Sequence, residues 1–419
     1  MKKVLLINPP FFRFLGLEQD YVPLSLLAVG SKMAEDGNSV FIKNMEIGSG
    51  LSYQGYAERT NGFGRYLAGI TDTNNVVWDE LRKTIESVQP DEIGVSVLNV
   101  KFRSFCVIND IAKEYGIPVF AGGPHTIIEP EIYPKNVTIF PGEYESAGGR
   151  LIDLDKLPFP NFDILLDKDQ YSPNAFAHLI TSRGCPFRCR FCSSSVIWKR
   201  KVTFKSADRI LAEMKYIEDR FGSNYFTFWD EVFTLYRKRL QEFCAKYNLS
   251  SKWRCDTRAD ALTNDVVQMM SNAGCGQMSV GVESGVDRIL KYIGKGETTA
   301  EYSRAAEILN SHGVEWKAYC IIGFPEETEE DMHRTISFVK SLQPFRITMS
   351  FFTPYKGTSL FEECAGRELM GNGDANDFFH QGPYNYFCPK LSAEGYAQTR
   401  DAILKEIDEY NKEALLSWH

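Results

Sequence analysis

The 419-residue sequence predicts an α/β protein with two consecutive parallel-sheet domains. Short apolar runs alternate with amphipathic segments of helical period over roughly the first 150 residues. A second series of the same kind begins near residue 171, after a stretch rich in proline and aspartate. Alternation of this type is typical of parallel sheets, whose neighbouring strands need a crossover helix between them.

The first series predicts a domain over residues 1–150. Its candidate strands are KVLLINP, SVFIKN, DEIGVSVL, IPVFAGG and VTIFPGE, with a helical segment after each of the first three. A doubly wound sheet of this kind places its ligand crevice beyond the carboxyl ends of the strands. Residues 48–75 interrupt the alternation and are expected to form an irregular excursion over that edge.

A linker is predicted over residues 151–170, and a second domain over residues 171–365. Six candidate strands follow one another here: HLIT, YFTFW, KWRCD, MSVGV, WKAYCII and RITMSFF. Six strands with crossover helices predict a partial, open (β/α)6 barrel with its chemistry at the carboxyl ends of the strands. Residues 366–419 are predicted to form a loop and a terminal amphipathic helix.

Composition excludes several classes of protein. The balance of 47 basic and 55 acidic residues gives a net charge of −8, which argues against a nucleic-acid partner. No apolar run is long enough to predict a membrane span. The start, MKKVLLINPPFF, is too short and too interrupted for a signal peptide and is interpreted as a buried strand. We therefore expect a cytoplasmic protein with reduced cysteines.

Three of the ten cysteines stand within eight residues, as Cys185, Cys189 and Cys192 in TSRGCPFRCRFCSSS. A disulfide is disfavoured by compartment and by the odd number. Structural zinc requires four ligands, and no neighbouring pair completes the set. Buried thiols are not expected on a loop rich in arginine and serine. The spacing C-x3-C-x2-C favours a four-iron cluster held by three thiolates, with the fourth iron left open.

With Phe191 before the last cysteine, this motif resembles that of the radical S-adenosylmethionine superfamily. The resemblance implies a [4Fe-4S] cluster whose open iron binds S-adenosylmethionine. It also implies cleavage of that molecule to a 5′-deoxyadenosyl radical, with an electron donor such as flavodoxin or ferredoxin. The family's further cofactor contacts match residues at the ends of the later strands: Asp230 or Glu231, Arg258, Glu283, Ser284 and Gly323. The fifth-strand pattern G-x-I-x-G-x-x-E runs through Ile321, Gly323 and Glu326 but has Tyr319 in place of its first glycine.

The first domain resembles the cobalamin-binding, flavodoxin-like or Rossmann-like domain of the B12-dependent members of this superfamily. The matching segments are LLINPP, IGVSVL, FAGGPHTIIEPE and PGEYES. The resemblance implies cobalamin contacts at Asn8, Pro9, Ser96, Val97, Gly122, Gly123, His125, Gly142 and Glu143. The D-x-H-x-x-G motif that supplies a histidine to cobalt is absent, so His125 is expected to contact the loop or the nucleotide tail. The alternative is a flavodoxin-like fold that binds nothing.

The main hypothesis is a cobalamin-dependent radical methyltransferase that methylates an unactivated carbon of a small molecule or peptide. A related enzyme that performs rearrangement, ring contraction, cyclisation or oxidation is the alternative. A methylthiotransferase and a non-catalytic corrinoid carrier are further alternatives, disfavoured by the single cysteine before the triplet and by the triplet itself. Residues 48–75 and 366–389 are predicted to be lids that carry substrate specificity.

Overall fold

The computed structural model describes residues 1–17, 19–47, 62–146, 149–371 and 375–417, with side chains as far as residue 413. The chain divides into two compact units, Met1–Phe176 and Ala177–His419. Among the described helices, none has the length and apolar content that a bilayer crossing requires.

The first unit contains a five-stranded parallel sheet in the order β2-β1-β3-β4-β5. This is the flavodoxin-like order of doubly wound sheets, and all five predicted strands are present. The strands are β1 Lys3–Asn8, β2 Ser39–Asn44, β3 Glu92–Ser96, β4 Val119–Gly122 and β5 Val137–Ile139. The helices are α1 Phe12–Leu15, α2 Leu24–Glu35, α3 Phe63–Thr71, α4 Val76–Val88, α5 Phe102–Glu114 and α6 Pro124–Ile128.

Strand β1 lies inside this sheet, between β2 and β3, and its residues Val4 to Ile7 are all buried, as expected for a strand covered on both faces. Helix α4 shows how the amphipathic segments pack. It begins after Asn75, whose side chain accepts a hydrogen bond from the Val77 N–H, and it buries Trp78, Leu81 and Ile85 against the sheet.

The segment predicted as a linker packs on the first unit. Leu165 forms a parallel bridge with Ile42, and the Leu166 N–H donates to the Ile42 carbonyl at 3.0 Å. Lys43 and Asp167 form an ion pair at 2.9 Å. The compact unit that contains the first sheet consequently extends to Phe176 and includes the residues 151–170 that were predicted as a linker.

The second unit contains a six-stranded sheet in the order β13-β12-β11-β10-β9-β6, with every pair parallel. All six predicted strands are present, in the sequential order that a partial barrel requires. The strands are β6 His178–Leu179, β7 Ser182–Arg183, β8 Thr203–Phe204, β9 Tyr225–Phe228, β10 Lys252–Thr257, β11 Cys275–Glu283, β12 Glu315–Ile322 and β13 Arg346–Phe351. Strands β7 and β8 form a separate antiparallel pair.

Helices follow the strands of the second unit: α7 Ser194–Ile197, α8 Ala207–Phe221, α9 Arg237–Lys246, α10 Asn264–Asn272, α11 Asp287–Tyr292, α12 Thr299–Ser311, α13 Glu329–Ser341, α14 Ser359–Gly366 and α15 Ala393–Ser417. Two of these helices begin at caps that the local sequence encodes: Ser206 accepts from the Arg209 N–H, and Thr298 with Glu301 forms a capping box. A second capping box, Thr328 with Asp331, begins α13.

The two faces of the larger sheet differ in character. One face is apolar and buried, with residues such as Trp253, Val280 and Trp316. The other face carries polar side chains on the alternate positions of β10, β12 and β13, and these are half-buried. Alternation with period two is the ordinary consequence of strand geometry, so the polar face is encoded directly in the sequence.

The segments predicted as lids are only partly described. Residues 48–61 of the first lie outside the described residues, and helix α3 occupies much of the remainder. In the second, Phe378, Phe379 and Phe387 are buried, and the His380 carbonyl accepts the Phe351 N–H at 2.7 Å. This part of residues 366–389 therefore packs against the end of β13, and its role in specificity stays a prediction.

Gly123→Ala is expected to destabilise the first unit. Gly123 has φ of 100°, and a Cβ there would lie 2.9 Å from the Val97 carbonyl oxygen. Strain of this kind costs about 1–3 kcal/mol. The neighbouring Gly122→Ala is the control, because its Cβ would meet only the Phe140 Cβ at 4.0 Å. Hydrogen exchange of the β3 and β4 amides measures this unit alone, and equal rates in the two variants would contradict the strain.

Candidate functional site

The cysteine triplet lies on the loop between β7 and α7, at the carboxyl edge of the six-stranded sheet. Cys185, Cys189 and Cys192 are neither buried nor fully exposed. Gly184 precedes them with φ of 97°, and a Cβ there would lie 2.1 Å from the Lys201 carbonyl oxygen. Glycine is thus required where the chain turns from the sheet into the loop.

Asp230 fixes the start of this loop. Its carboxylate accepts hydrogen bonds from the backbone N–H groups of Thr181, at 2.6 Å, and Ser182, at 2.9 Å, and from the Thr181 hydroxyl. Arg239 approaches the same carboxylate at 3.5 Å and donates to the Thr181 carbonyl at 2.9 Å. Both charged groups are buried, so this ion pair joins the end of β9 to the segment that leads into the cysteines.

Arg190 fixes the loop from the other side. Its N–H donates to the Ile293 carbonyl at 2.8 Å, and its guanidinium donates to the Tyr292 carbonyl at 3.0 Å and to Glu363 at 2.7 Å. Gly294, with φ of 66°, lets the chain pass close to the Arg188 carbonyl. The middle of the cysteine loop is consequently held by α11 and α14 as well as by the sheet.

Charged side chains are buried next to the triplet. Lys295 pairs with Glu283 at 2.9 Å and lies 3.6 Å from Glu297, which in turn lies 3.5 Å from Arg258. The Arg258 guanidinium also stacks over the Phe187 ring, 3.7 Å from its centroid. Burial lowers the pKa of Lys295, but the two glutamates more than offset this, so its pKa stays above the ordinary value and the ammonium stays charged.

The thiols have the surroundings that a cluster needs. Burial raises the pKa of Cys192 to about 12, while the backbone of Ser194 favours its thiolate; the Phe187 backbone does the same for Cys185. Burial also raises the pKa of Cys189, while Lys295 and Arg258 act in the opposite direction and favour its thiolate. Within the described ranges no three Cys, His, Asp or Glu side chains converge on a single metal ion. A cube of four irons binds each thiolate at a different corner, so separated thiols with N–H donors suit it.

The two acids proposed at the end of β9 have different surroundings. Asp230 is fully engaged by Thr181, Ser182 and Arg239. Glu231 is exposed to solvent and accepts weaker hydrogen bonds from the Gly184 N–H at 3.2 Å and the Ser194 hydroxyl at 3.1 Å. Crowding by protein atoms still raises the pKa of Glu231. The geometry therefore leaves Glu231, beside Cys185, as the acid that a ligand can reach.

The two residues predicted at the end of β11, Glu283 and Ser284, also have different surroundings. Glu283 has the left-handed φ of 63°, which is uncommon outside glycine and asparagine, and its carboxylate folds back over Gly281 toward Lys295. Ser284 is buried and bonds to Thr335 at 3.2 Å and to the Val286 N–H at 3.3 Å. Glu283 borders the cysteine loop, whereas the Ser284 hydroxyl supports α11 and α13.

A structural role for Glu327 was not predicted from the sequence. Its carboxylate accepts the N–H groups of Gly323 and Phe324 at 2.7 and 2.9 Å and closes the turn after β12, while Glu326 pairs at the surface with Arg367 and Lys390. Burial raises the pKa of Glu327 to about 8. Phe324 in this turn contacts Phe191, with ring centroids 5.8 Å apart. The signal was present as a second glutamate directly after Gly-Phe-Pro-Glu.

Gly323 itself has φ of 90°, and a Cβ there would lie 2.6 Å from the Tyr396 hydroxyl. The requirement for glycine at this position therefore comes from the terminal helix α15. A direct contact between Gly323 and a cofactor stays a prediction.

In the first unit, the predicted cofactor residues lie at or just beyond the carboxyl edge of the five-stranded sheet: Asn8 and Pro9 after β1, Ser96 and Val97 after β3, Gly122, Gly123 and His125 after β4, and Gly142 and Glu143 after β5. A Cβ on Gly122 would face nearly open space. His125 is buried, and its Nδ1 bonds to the Tyr133 hydroxyl at 2.8 Å. Glu143 accepts the Leu151 N–H at 2.6 Å.

A buried charge pair at this edge was also missed. Lys101 pairs with Glu46 at 2.7 Å and donates to the Asn8 side chain at 2.7 Å. The Glu46 carboxylate also accepts the N–H groups of Phe11 and Arg13. The pair lies between β1 and β3, where the strand order reverses and where doubly wound sheets bind their ligands. Its members follow β2 and β3, a position that the sequence pattern does reveal.

Comparison with known proteins agrees with this geometry. The model of the Radical SAM superfamily matches residues 179–339, which include the cysteine loop and the turn after β12. The chain contains a radical S-adenosylmethionine domain. The family resemblance drawn from the Cys185, Cys189 and Cys192 motif is thereby confirmed.

Similarity to curated proteins extends beyond that domain. An uncharacterized methyltransferase of Pyrococcus horikoshii is 27% identical over 364 residues, covering 77% of this chain and 79% of that protein. The bacteriochlorophyllide d C-12(1)-methyltransferase of Chlorobaculum tepidum is 26% identical and covers 78% of this chain and 77% of that protein. The structure of the radical S-adenosylmethionine methyltransferase TsrM from Kitasatospora setae, with cobalamin and a [4Fe-4S] cluster bound, has a TM-score of 0.65 at 15% identity, over 96% of this chain and 91% of that one.

Asp230→Ala is expected to destabilise the second unit by about 3–5 kcal/mol, because it leaves the buried Arg239 without its carboxylate. Glu231→Ala is the matched control and should change stability by less than about 1 kcal/mol, since its carboxylate is solvent-exposed. Thermal unfolding of the two variants without cofactors measures the difference. Equal destabilisation would show that Asp230 does not anchor the loop.

Glu327→Gln is expected to remove a pH dependence of stability. The folded state holds the Glu327 proton up to about pH 8, whereas the ordinary pKa is 4.5, so the free energy of unfolding should fall as pH rises between these values. The loss amounts to a few kcal/mol, at about 1.4 kcal/mol for each pKa unit. Calorimetric melting from pH 5 to 8 should show a flatter profile for Glu327→Gln, with higher stability at pH 8, and no flattening for Glu326→Gln.

Proposed function

We propose that the protein is a cobalamin-dependent radical S-adenosylmethionine methyltransferase acting on an unactivated carbon of a small molecule or peptide. The observation that carries the proposal is the cysteine loop, which Asp230 and Arg190 hold at the carboxyl edge of a parallel sheet with its three thiols partly accessible. Relatives named as methyltransferases over more than three quarters of the chain support the reaction class.

When bound, the cluster supplies the electron that splits S-adenosylmethionine, and cobalamin supplies the methyl group. Cys185, Cys189 and Cys192 would hold three irons, and the surrounding residues would hold S-adenosylmethionine beside them. Glu231 would accept a hydrogen bond from the amino group of S-adenosylmethionine. Arg258 and Lys295, beside Cys189, would attract the carboxylate of S-adenosylmethionine, and Glu283 would contact its ribose.

The carboxyl edge of the first sheet would hold cobalamin. Asn8, Ser96 and Gly122 end three neighbouring strands there, and the open space beside Gly122 permits a bulky ligand to approach the backbone. The Nδ1 atom of His125 is already bonded to Tyr133 inside the unit, which supports a site without a histidine ligand from this loop. The flavodoxin-like strand order and the fold of TsrM support the assignment.

The remaining assignments follow from the same proposal. An electron donor such as flavodoxin or ferredoxin would reduce the cluster, and the enzyme would act in the cytoplasm. The acidic net charge of −8 supports the absence of a nucleic-acid partner. The cofactor domain would comprise residues 1–150, followed by a linker over 151–170 and a radical domain over 171–365, and the terminal segment 366–419 would close that domain.

The test is anaerobic reconstitution with iron, sulfide and cobalamin. We expect iron and sulfide for one four-iron cluster, a retained cobalamin spectrum, and label from methyl-labelled S-adenosylmethionine in the product of a candidate substrate. Cys185→Ala should lose the iron and keep cobalamin, because the two sites use different residues. Cys106→Ala, a thiol outside the triplet, is the control and should keep both.

Three outcomes would redirect the assignment. A protein that retains no cobalamin is not an enzyme of this class. Label found only in methionine would favour rearrangement, cyclisation or oxidation over methyl transfer. Iron for two clusters would favour a methylthiotransferase.

A further inference from the structure

We propose that the polar face of the six-stranded sheet contains a binding site for an anionic group, a carboxylate or a phosphate, formed by Arg254, Lys317 and Arg346. The ligand is taken to be the substrate, so this identification rests on the proposed function. The register of the strands places these side chains on one face of the sheet.

Four residues occupy directly adjacent positions on four neighbouring strands. Asp256 of β10 pairs with Ser279 of β11, Ser279 pairs with Lys317 of β12, and Lys317 pairs with Arg346 of β13. Lateral partners on parallel strands point to the same face, and neighbouring strands are about 4.8 Å apart. Arg254 stands two residues before Asp256 and therefore shares the face.

Two cations of this face, Lys317 and Arg254, have donor groups without acceptors in the described part of the chain. In the described part of the chain, the Lys317 ammonium makes no hydrogen bond and no ion pair within 4.0 Å, although the side chain is half-buried. The Arg254 guanidinium donates through Nε to the Thr227 hydroxyl at 2.9 Å, and its two terminal NH2 groups have no partner there. Cations withdrawn from water without acceptors cost free energy, which a bound anion would recover.

The cations also repel one another. Burial, followed by Arg254 and Arg346, lowers the pKa of Lys317 to about 8. Asp256 and Glu315 act in the opposite direction on the pKa of Lys317, but they do not offset this lowering. Like charges on directly adjacent strands are destabilising, so a row of this composition is typical of a site that is completed by a ligand of opposite charge.

Ser279 and Tyr319 extend the site. The Ser279 hydroxyl interacts with the Asp256 carboxyl and with the Tyr319 hydroxyl, and burial raises the pKa of Asp256 to about 6. These neutral and acidic groups could orient a polar substituent beside the anion. Tyr319 replaces the first glycine of the fifth-strand pattern, so the departure from that pattern places a hydroxyl on the polar face.

The site is distinct from the cysteine loop. Asp256 precedes Arg258 by two residues and Lys317 precedes Gly323 by six, which correspond to about 7 and 20 Å along their strands. A substrate held here by its anionic group would extend along the polar face, with its reacting carbon toward the carboxyl edge. A site at this position would therefore favour elongated substrates with a carboxylate or a phosphate at one end.

The experiment measures anion binding without turnover. Calorimetric titration of the reconstituted enzyme, at constant ionic strength, uses inorganic phosphate and succinate as separate probes. We expect one probe to bind the wild type and Lys317→Met to weaken it roughly tenfold or more, as expected for a hydrogen bond to a charged group. Lys317→Arg should restore binding, and Lys238→Met, at an exposed helix position, should leave it unchanged.

Binding of phosphate alone would identify a phosphate-bearing substrate, and binding of succinate alone a carboxylate. If Lys317→Met does not fold, Arg254→Gln tests the same group, because glutamine can still donate to Thr227. No binding to the wild type, or equal binding in Lys317→Met, would overturn the inference. Cleavage of S-adenosylmethionine by the wild type is measured separately, so failure of anion binding with cleavage intact would leave the proposed function standing.

Discussion

The candidate site depends on the hydrogen bonds and the ion pair that the buried carboxylate of Asp230 makes. This carboxylate accepts three hydrogen bonds from Thr181 and Ser182 and faces Arg239, so the chain leaves β6 in a fixed direction before it reaches Cys185. Three cysteines on a free loop would lose conformational entropy on binding a cluster. In this protein, folding already orders much of the loop, because Arg190 is also held by α11 and α14. Less conformational entropy is therefore left to lose when the cluster binds.

The two faces of the larger sheet have different roles. Its apolar face packs beneath helices, and its polar face carries the charged residues that the strands bring into register. Residues at the strand ends, such as Glu231 and Glu283, lie near the cysteines, while Lys317 and Arg254 lie deeper on the same sheet. Position along a strand thus separates two kinds of chemistry, and position across it decides which residues from distant parts of the sequence become neighbours.

The hydrophobic periodicity of the sequence was sufficient to predict the strands and helices, but it was insufficient to predict which side chains contact one another. All eleven sheet strands that were predicted are present, because each is a short apolar run bounded by turn residues, and the caps at Ser206 and Thr298 are local patterns of four residues. The motif was assigned to Glu326 rather than to Glu327, because the sequence does not distinguish two adjacent glutamates. In the structure Glu327 is buried, whereas Glu326 pairs with Lys390 at the surface. The boundary at residue 176 depended on contacts of Leu165 and Asp167 with β2, which no local pattern encodes.

The sequence by itself determined the two α/β series, the C-x3-C-x2-C motif and the family that the motif indicates, because these depend on the order and spacing of residues along the chain. The tertiary structure alone decided which acid is engaged and which is open at the end of β9, and that His125 is enclosed with Tyr133. It alone brought Lys317 beside Arg346 and Lys101 beside Glu46. Burial, pairing and pKa arise from neighbours that are remote in sequence, so they exist only once the sheets have formed.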